Sequence, residues 1–186
     1  MSFYCFSGSG YEQAYSLQGH EGYVLCSCVA PSSSQFPLGL LISGGQDKTI
    51  RVWTSDPPVQ MFALKGHGDA VCCLAFDSVH NQLISGSWDK TARIWSGEDC
   101  VCVLEGHSLA VWAVAVVSNK DSAGDKLASV LTGSADKTIS YWKDGSLVRS
   151  FTGHTDCVRG LAVLSGGLEF LSCSNDASII RWNLDL

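Results

Sequence analysis

The chain has 186 residues, of which 46% are hydrophobic and 16% charged, with 12 Lys and Arg against 18 Asp and Glu for a net charge of −6. This is the composition of a folded globular protein, and it excludes a disordered low-complexity segment. The acidic balance supplies no basic patch for neutralising phosphates, so nucleic acid is not an expected partner, and no run of about 18 apolar residues is available for a helix that inserts in a membrane.

In chain order, the opening segment MSFYCFSGSG has neither a basic stretch nor a continuous apolar one, so it is not read as a secretion signal. Residues 1–12 are expected to be a leader, and QAYSL (13–17) a short outer strand that runs into Gly19-His20. From there to residue 186 one unit recurs four times: a Gly-His pair, two runs rich in β-branched and aromatic residues, Asp-x-Ser/Thr, and a third run ending on Trp. Copy one (about 19–53) reads YVLCSCVA, LLISGG and TIRVW, then VQMFAL leading into the next Gly-His. Copy two (66–95) reads AVCCLAF, QLISGS and TARIW, then CVCVL. Copy three (106–142) reads AVWAVAVV, LASVLTGS and TISYW, then LVRSF, and copy four (153–182) stops at WNLDL, just after its third strand.

Asp and Trp are six residues apart in every copy, whereas successive histidines are 47, 40 and 47 apart. The local geometry is therefore rigid and the loops vary in length. The extra length falls in 30–39 and 118–126, which are rich in Ser, Gly, Pro or charge and read as surface loops on one rim. Self-similarity at roughly 40 to 45 residues with Gly-His and Trp in each unit predicts an all-β fold, a β-propeller built of four-stranded blades. Copy four lacks its outer strand while QAYSL is an outer strand without a blade, so the four blades are expected to be part of a larger ring.

Eight of the nine cysteines, Cys26, Cys28, Cys72, Cys73, Cys100, Cys102, Cys157 and Cys173, lie in apolar runs, where a thiol behaves as a small hydrophobe. A reducing cytoplasmic or nuclear setting follows. No Cys-x-x-Cys occurs and the repeat claims the histidines, so neither a metal nor a cofactor is expected.

Each copy also carries a hydroxyl four residues before its Asp. The resulting sets are His20, Ser43, Asp47 and Trp53; His67, Ser85, Asp89 and Trp95; His107, Thr132, Asp136 and Trp142; and His154, Ser172, Asp176 and Trp182. A hydrolase triad is a single constellation with an oxyanion hole, whereas this set is built four times with a Trp and without a Gly-x-Ser-x-Gly elbow. A buried hydrogen-bond chain that specifies strand register is expected instead, with no enzymatic role.

Four of the six tryptophans belong to these sets, which leaves Trp88 and Trp112. Trp88 precedes the repeat Asp of copy two and Trp112 lies five residues after His107, positions that open on one face of a propeller near its channel, in adjacent blades. Tyr23, Leu25, Arg159 and Asn175 hold comparable positions in copies one and four. Together they compose an aromatic-plus-Arg centre of the kind protein interfaces favour. The alternative is that both indoles merely fill the channel mouth.

The chain resembles the WD-repeat family, although the dipeptides closing its repeats are Trp-Thr, Trp-Ser, Trp-Lys and Trp-Asn rather than Trp-Asp. The runs QLISGSWDKTARIW, LEGHSLAVWAV, LTGSADKTISYW and FTGHTDCVRGLAVL, with FLSCSNDASIIRW after the last, are more specific and resemble the interior repeats of a seven-bladed propeller from the ubiquitin system. That resemblance, from about Gln18 to Trp182, implies a non-enzymatic module that binds ubiquitin or ubiquitinated proteins in ubiquitin-dependent degradation. It also implies an AAA ATPase as a partner, reached only through further domains with no counterpart in these residues. The rival reading is a general WD-repeat scaffold that binds through blade edges or the rim loops.

Overall fold

The computed structural model describes residues 2–7, 10–32, 39–117 and 125–184. Every strand among them is antiparallel to its neighbours, and no helix occurs in the described residues. Strands β1 (Ser2–Ser7) and β2 (Gly10–Ser16) form a hairpin. The strand expected at 13 therefore begins earlier, and the stretch expected as a leader contributes β1, whose SFYCFS sequence has the aromatic content that favours extended backbone.

Three complete blades follow, each with its strands hydrogen-bonded in chain order. Blade one holds β3 (Val24–Ala30), β4 (Leu40–Gly45), β5 (Ile50–Thr54) and β6 (Gln60–Leu64). Blade two holds β7 (Val71–Asp77), β8 (Gln82–Ser87), β9 (Ala92–Ser96) and β10 (Asp99–Leu104). Blade three holds β11 (Val111–Val116), β12 (Val130–Ser134), β13 (Thr138–Lys143) and β14 (Ser146–Thr152). Blade four has three strands, β15 (Val158–Val163), β16 (Glu169–Ser174) and β17 (Ile179–Asn183), so the outer edge of β17 carries no partner strand among the described residues.

The core lies between blades rather than within them, as stacked repeats require. Ile42 and Ile50 of blade one pack with Val71, Leu83 and Trp95 of blade two. Ile84 and Ile94 of blade two pack with Val111, Val130 and Trp142 of blade three, and Leu131 and Ile139 of blade three with Val158 and Phe170 of blade four.

Close stacking depends on the glycine that follows the repeat hydroxyl. A Cβ at Gly44 would lie 2.7 Å from Val71 Cγ1, at Gly86 2.8 Å from Val111 Cγ1, and at Gly133 2.7 Å from Val158 Cγ1. Each glycine thus receives the first valine of the next blade. Gly86→Ala is expected to cost about 1–3 kcal/mol, because the new methyl also meets Cys73 Sγ and the β-branched valine cannot turn away. Urea unfolding measures it; an unchanged midpoint would mean that the blades can shift apart freely. In blade four the equivalent residue is Cys173, which faces no described blade and is exposed.

Cys100 is exposed too, on the outer strand β10, so these two thiols, expected to behave as small hydrophobes within apolar runs, face solvent instead. Cys157 is buried, and Cys26, Cys28, Cys72, Cys73 and Cys102 are half-buried. The second strand of copy three also starts later than its sequence suggests, at Val130 rather than Leu127. A neighbouring blade claims that backbone: Gln82 accepts from the Ala128 N–H at 2.8 Å and donates to the Lys126 carbonyl at 3.1 Å. The loops 30–39 and 118–126 fall largely outside the described residues.

Candidate interaction site

Two constellations stand out, the repeated polar sets inside the blades and an aromatic cluster on one face. In blade two His67 Nδ1 is 2.8 Å from Asp89 Oδ2, His67 Nε2 is 2.8 Å from Ser85 Oγ, and Trp95 Nε1 is 2.8 Å from the same oxygen. The corresponding links in the other three sets measure 2.7 to 2.9 Å. An indole N–H can only donate, so the hydroxyl accepts it and spends its own proton on His Nε2. The Nδ1–H is left for the carboxylate, which assigns a neutral imidazole.

Each carboxylate is also wrapped by its own turn. Asp89 accepts from the Gly68 N–H at 2.8 Å, the Thr91 N–H at 2.9 Å and the Thr91 hydroxyl at 2.7 Å. The intervening residue lies in the left-handed region, at φ 66° for Lys48, 75° for Lys90, 73° for Lys137 and 66° for Ala177. The hydroxyls Ser43, Ser85, Thr132 and Ser172 are at most 1% exposed, and each already holds two partners. No substrate could reach such an oxygen, so the sets are architectural.

Their electrostatics set an acid response. Burial alone would raise the Asp89 carboxyl, but it is outweighed by the Thr91 hydroxyl, the His67 ring and two backbone N–H groups, which hold it at about 2. Asp47 is likewise at about 2, with burial overcome by the Glu21 N–H, the His20 ring and Thr49. Burial lowers His67 from the ordinary 6.5 despite Asp89. In each case the unfolded chain binds more protons than the folded one, so stability is full above the ordinary values and lost on acidification. Unfolding free energy is expected to decline first below pH 6.5, as the unfolded chain protonates His67, and again between 3.8 and about 2 as the aspartates protonate. Urea titrations at several pH values measure this, and a flat profile across the first window would contradict the neutral, buried assignment of His67.

The second constellation arises from a repeated irregularity. The pairing of each innermost strand with its neighbour slips at one residue: Leu25 in β3, Cys72 in β7, Trp112 in β11 and Arg159 in β15. A bulge leaves its extra residue out of the ladder and re-aims its side chain. Four bulged residues, each five after its histidine, therefore stand in succession on one face. The residue before each repeat Asp arrives at the same level, because its N–H bonds to the third residue after the histidine. These bonds run from Gln46 to Tyr23 at 2.8 Å, from Trp88 to Ala70 at 3.0 Å, from Ala135 to Ala110 at 2.9 Å and from Asn175 to Cys157 at 3.0 Å.

Trp88 of blade two meets Trp112 of blade three with ring centroids 5.5 Å apart and planes inclined by 54°. The Arg159 guanidinium of blade four lies over the Trp112 ring, its Cζ 4.2 Å from the ring centroid, and its Nε donates to Asn175 Oδ1 at 3.1 Å. Trp88 stays 36% exposed and Trp112 is half-buried, so the pair presents an indole surface to solvent. Tyr23 and Leu25 stand on blade one, separated from Trp112 by the whole of blade two, and Tyr23 is 74% exposed. Sequence reading missed the bulge that re-aims these side chains and the stacking of Arg159 on Trp112. The constant offset of five residues from the histidine is the signal that could have found them.

Comparison with known proteins agrees with this architecture. Phospholipase A-2-activating protein of Xenopus laevis is 43% identical over 108 residues, which is 58% of this chain and 13% of that protein. Ribosome assembly protein 4 of Saccharomyces cerevisiae is 35% identical over 60 residues, 32% of this chain and 11% of that protein. The chain thus spans only a small part of these relatives. Among solved structures, the WD40 β-propeller domain of Doa1 superposes with a TM-score of 0.77 at 32% identity, over 99% of this chain and 58% of that one. The computationally designed Ika4 protein gives 0.71 at 28% identity, over 91% of this chain and 96% of that one. The family model "WD domain, G-beta repeat" matches residues 11–54, 58–96, 98–143 and 145–183, one match per blade, and the chain therefore belongs to the WD40 family of repeat proteins and is an interaction module.

Proposed function

We propose that this module binds ubiquitin, free or on ubiquitinated proteins, and serves ubiquitin-dependent protein degradation in the cytoplasm or nucleus without catalysing a reaction. The observation that carries the proposal is the solvent-facing Trp88–Trp112 pair, with Arg159 and Asn175 as its polar rim. Aromatic side chains bury a large apolar area while losing few rotamers, which suits them to an apolar patch on a folded partner. The resemblance of the later repeats to ubiquitin-system propellers selects ubiquitin among such partners.

The experiment is a titration of the isotopically labelled chain with ubiquitin, followed by NMR. Shifts are expected on the face bearing Trp88 and Trp112 and are expected to vanish in the variant with both tryptophans replaced by alanine. Undiminished binding by that variant would sink the proposal.

A further inference from the structure

We infer that the surface beside the tryptophan pair is a carboxylate-binding site, so that the partner presents an acidic group next to the apolar patch it lays on Trp88 and Trp112. The inference rests on the docking reading above and adds a charge requirement to it.

Arg159 is held on two sides. Its guanidinium lies over the Trp112 ring, with Cζ 4.2 Å from the ring centroid, and its Nε–H is spent on Asn175 Oδ1 at 3.1 Å. Among the described residues its two terminal nitrogens have no acceptor, and no carboxylate lies within ion-pair distance of them. What remains is the outer edge of a guanidinium, a pair of parallel N–H donors whose spacing matches the two oxygens of a carboxylate. The Trp112 contact and the Asn175 bond hold the guanidinium in place before any ligand arrives, so little side-chain freedom is lost on binding.

The bulge explains why the fork sits there. Trp112 and Arg159 occupy the same repeat position in adjacent blades, so the pairing slips that re-aim one re-aim the other beside it. Any partner large enough to cover the two indoles also covers Arg159. Covering a guanidinium whose terminal donors have no acceptor removes its hydration without replacement, which opposes binding. A partner bearing a carboxylate at that point turns the penalty into a charge-assisted bidentate bond in a partly dehydrated setting, where such bonds are stronger than on an open surface. A partner with an apolar or basic group there is rejected, and Arg159 thereby contributes selectivity as well as affinity.

The test titrates ubiquitin against the chain carrying Arg159→Ala, Arg159→Lys or Arg159→Glu, with the double tryptophan-to-alanine variant alongside. Arg159 is exposed, and thermal melting verifies that each variant keeps its fold. Alanine and lysine are expected to weaken binding about tenfold or more, since lysine keeps the charge but not the fork. Arg159→Glu is expected to weaken it further. Ubiquitin variants with one Asp or Glu changed to Lys should include one that restores binding to Arg159→Glu. Parent-like affinity in all three Arg159 variants, with binding lost in the tryptophan variant, overturns the carboxylate site and leaves ubiquitin docking standing. If the parent chain does not bind ubiquitin, docking falls and N-acetyl-leucine decides the site. Shifts of the Trp112 indole N–H and the Arg159 Nε–H with the acid but not with N-acetyl-leucinamide uphold it, and equal responses overturn it.

Discussion

Replacing Asp89 by alanine is expected to lower the unfolding free energy by about 1–3 kcal/mol, since the carboxylate serves four donors at once. The His67 ring, the Gly68 and Thr91 N–H groups and the Thr91 hydroxyl all lose their acceptor. For a chain of this size the melting temperature should fall by about 2–4 °C for each kcal/mol. Ser85→Ala attacks the same chain from its dry end, stranding the Trp95 N–H and the His67 Nε2 where no water can enter, because Ser85 is fully buried. The two substitutions act on one network, so the double variant should lose less than the sum of the single losses. Calorimetry of the three variants checks this; simple additivity would mean that hydroxyl and carboxylate stabilise the blade independently.

Removing Trp88 and Trp112 together is expected to reduce ubiquitin affinity at least a hundredfold while leaving the fold in place. Central aromatic anchors of this kind cost about 2 kcal/mol or more each when truncated. Neither indole belongs to the inter-blade core, in contrast to Trp95 and Trp142, which are buried there. The single variants should each remove a large part of the affinity, because the 5.5 Å pair supports its own geometry and either ring left alone loses its neighbour. Isothermal titration of the three variants measures the coupling. A double variant no weaker than the worse single one would identify that residue as the sole anchor.

Much of the fold is legible in the residues alone. Blade two illustrates it: QLISGS is expected as a strand at 82–87 and forms β8, and CVCVL, expected at 100–104, lies within β10. Alternation of β-branched residues, punctuated by Asp-x-Thr, marks a strand by local chemistry alone. Two of the misses share one cause. Leu127 and Ala128 have strand-forming character, yet Gln82 from the neighbouring blade takes the backbone groups of Lys126 and Ala128 on either side of Leu127. Cys173 has the surroundings of a core residue, yet its blade is stacked on one side only among the described residues. In both places a non-local neighbour overrides a local preference.

The candidate site divides the same way. Trp88 and Trp112 stand out by subtraction, because the repeat accounts for every other tryptophan. Their proximity follows from blade adjacency and is realised at 5.5 Å. The clamp on Arg159 has no sequence signal of its own, since stacking and the Asn175 bond depend on where a bulge turns a side chain. The repeat therefore determined, by itself, the number of blades, the strand order within each and the internal network of His, hydroxyl, Asp and Trp, because all of these are set by interactions within one unit. Only the tertiary structure decided which leftover side chains meet, since the contacts among Trp88, Trp112 and Arg159 each cross from one blade to the next.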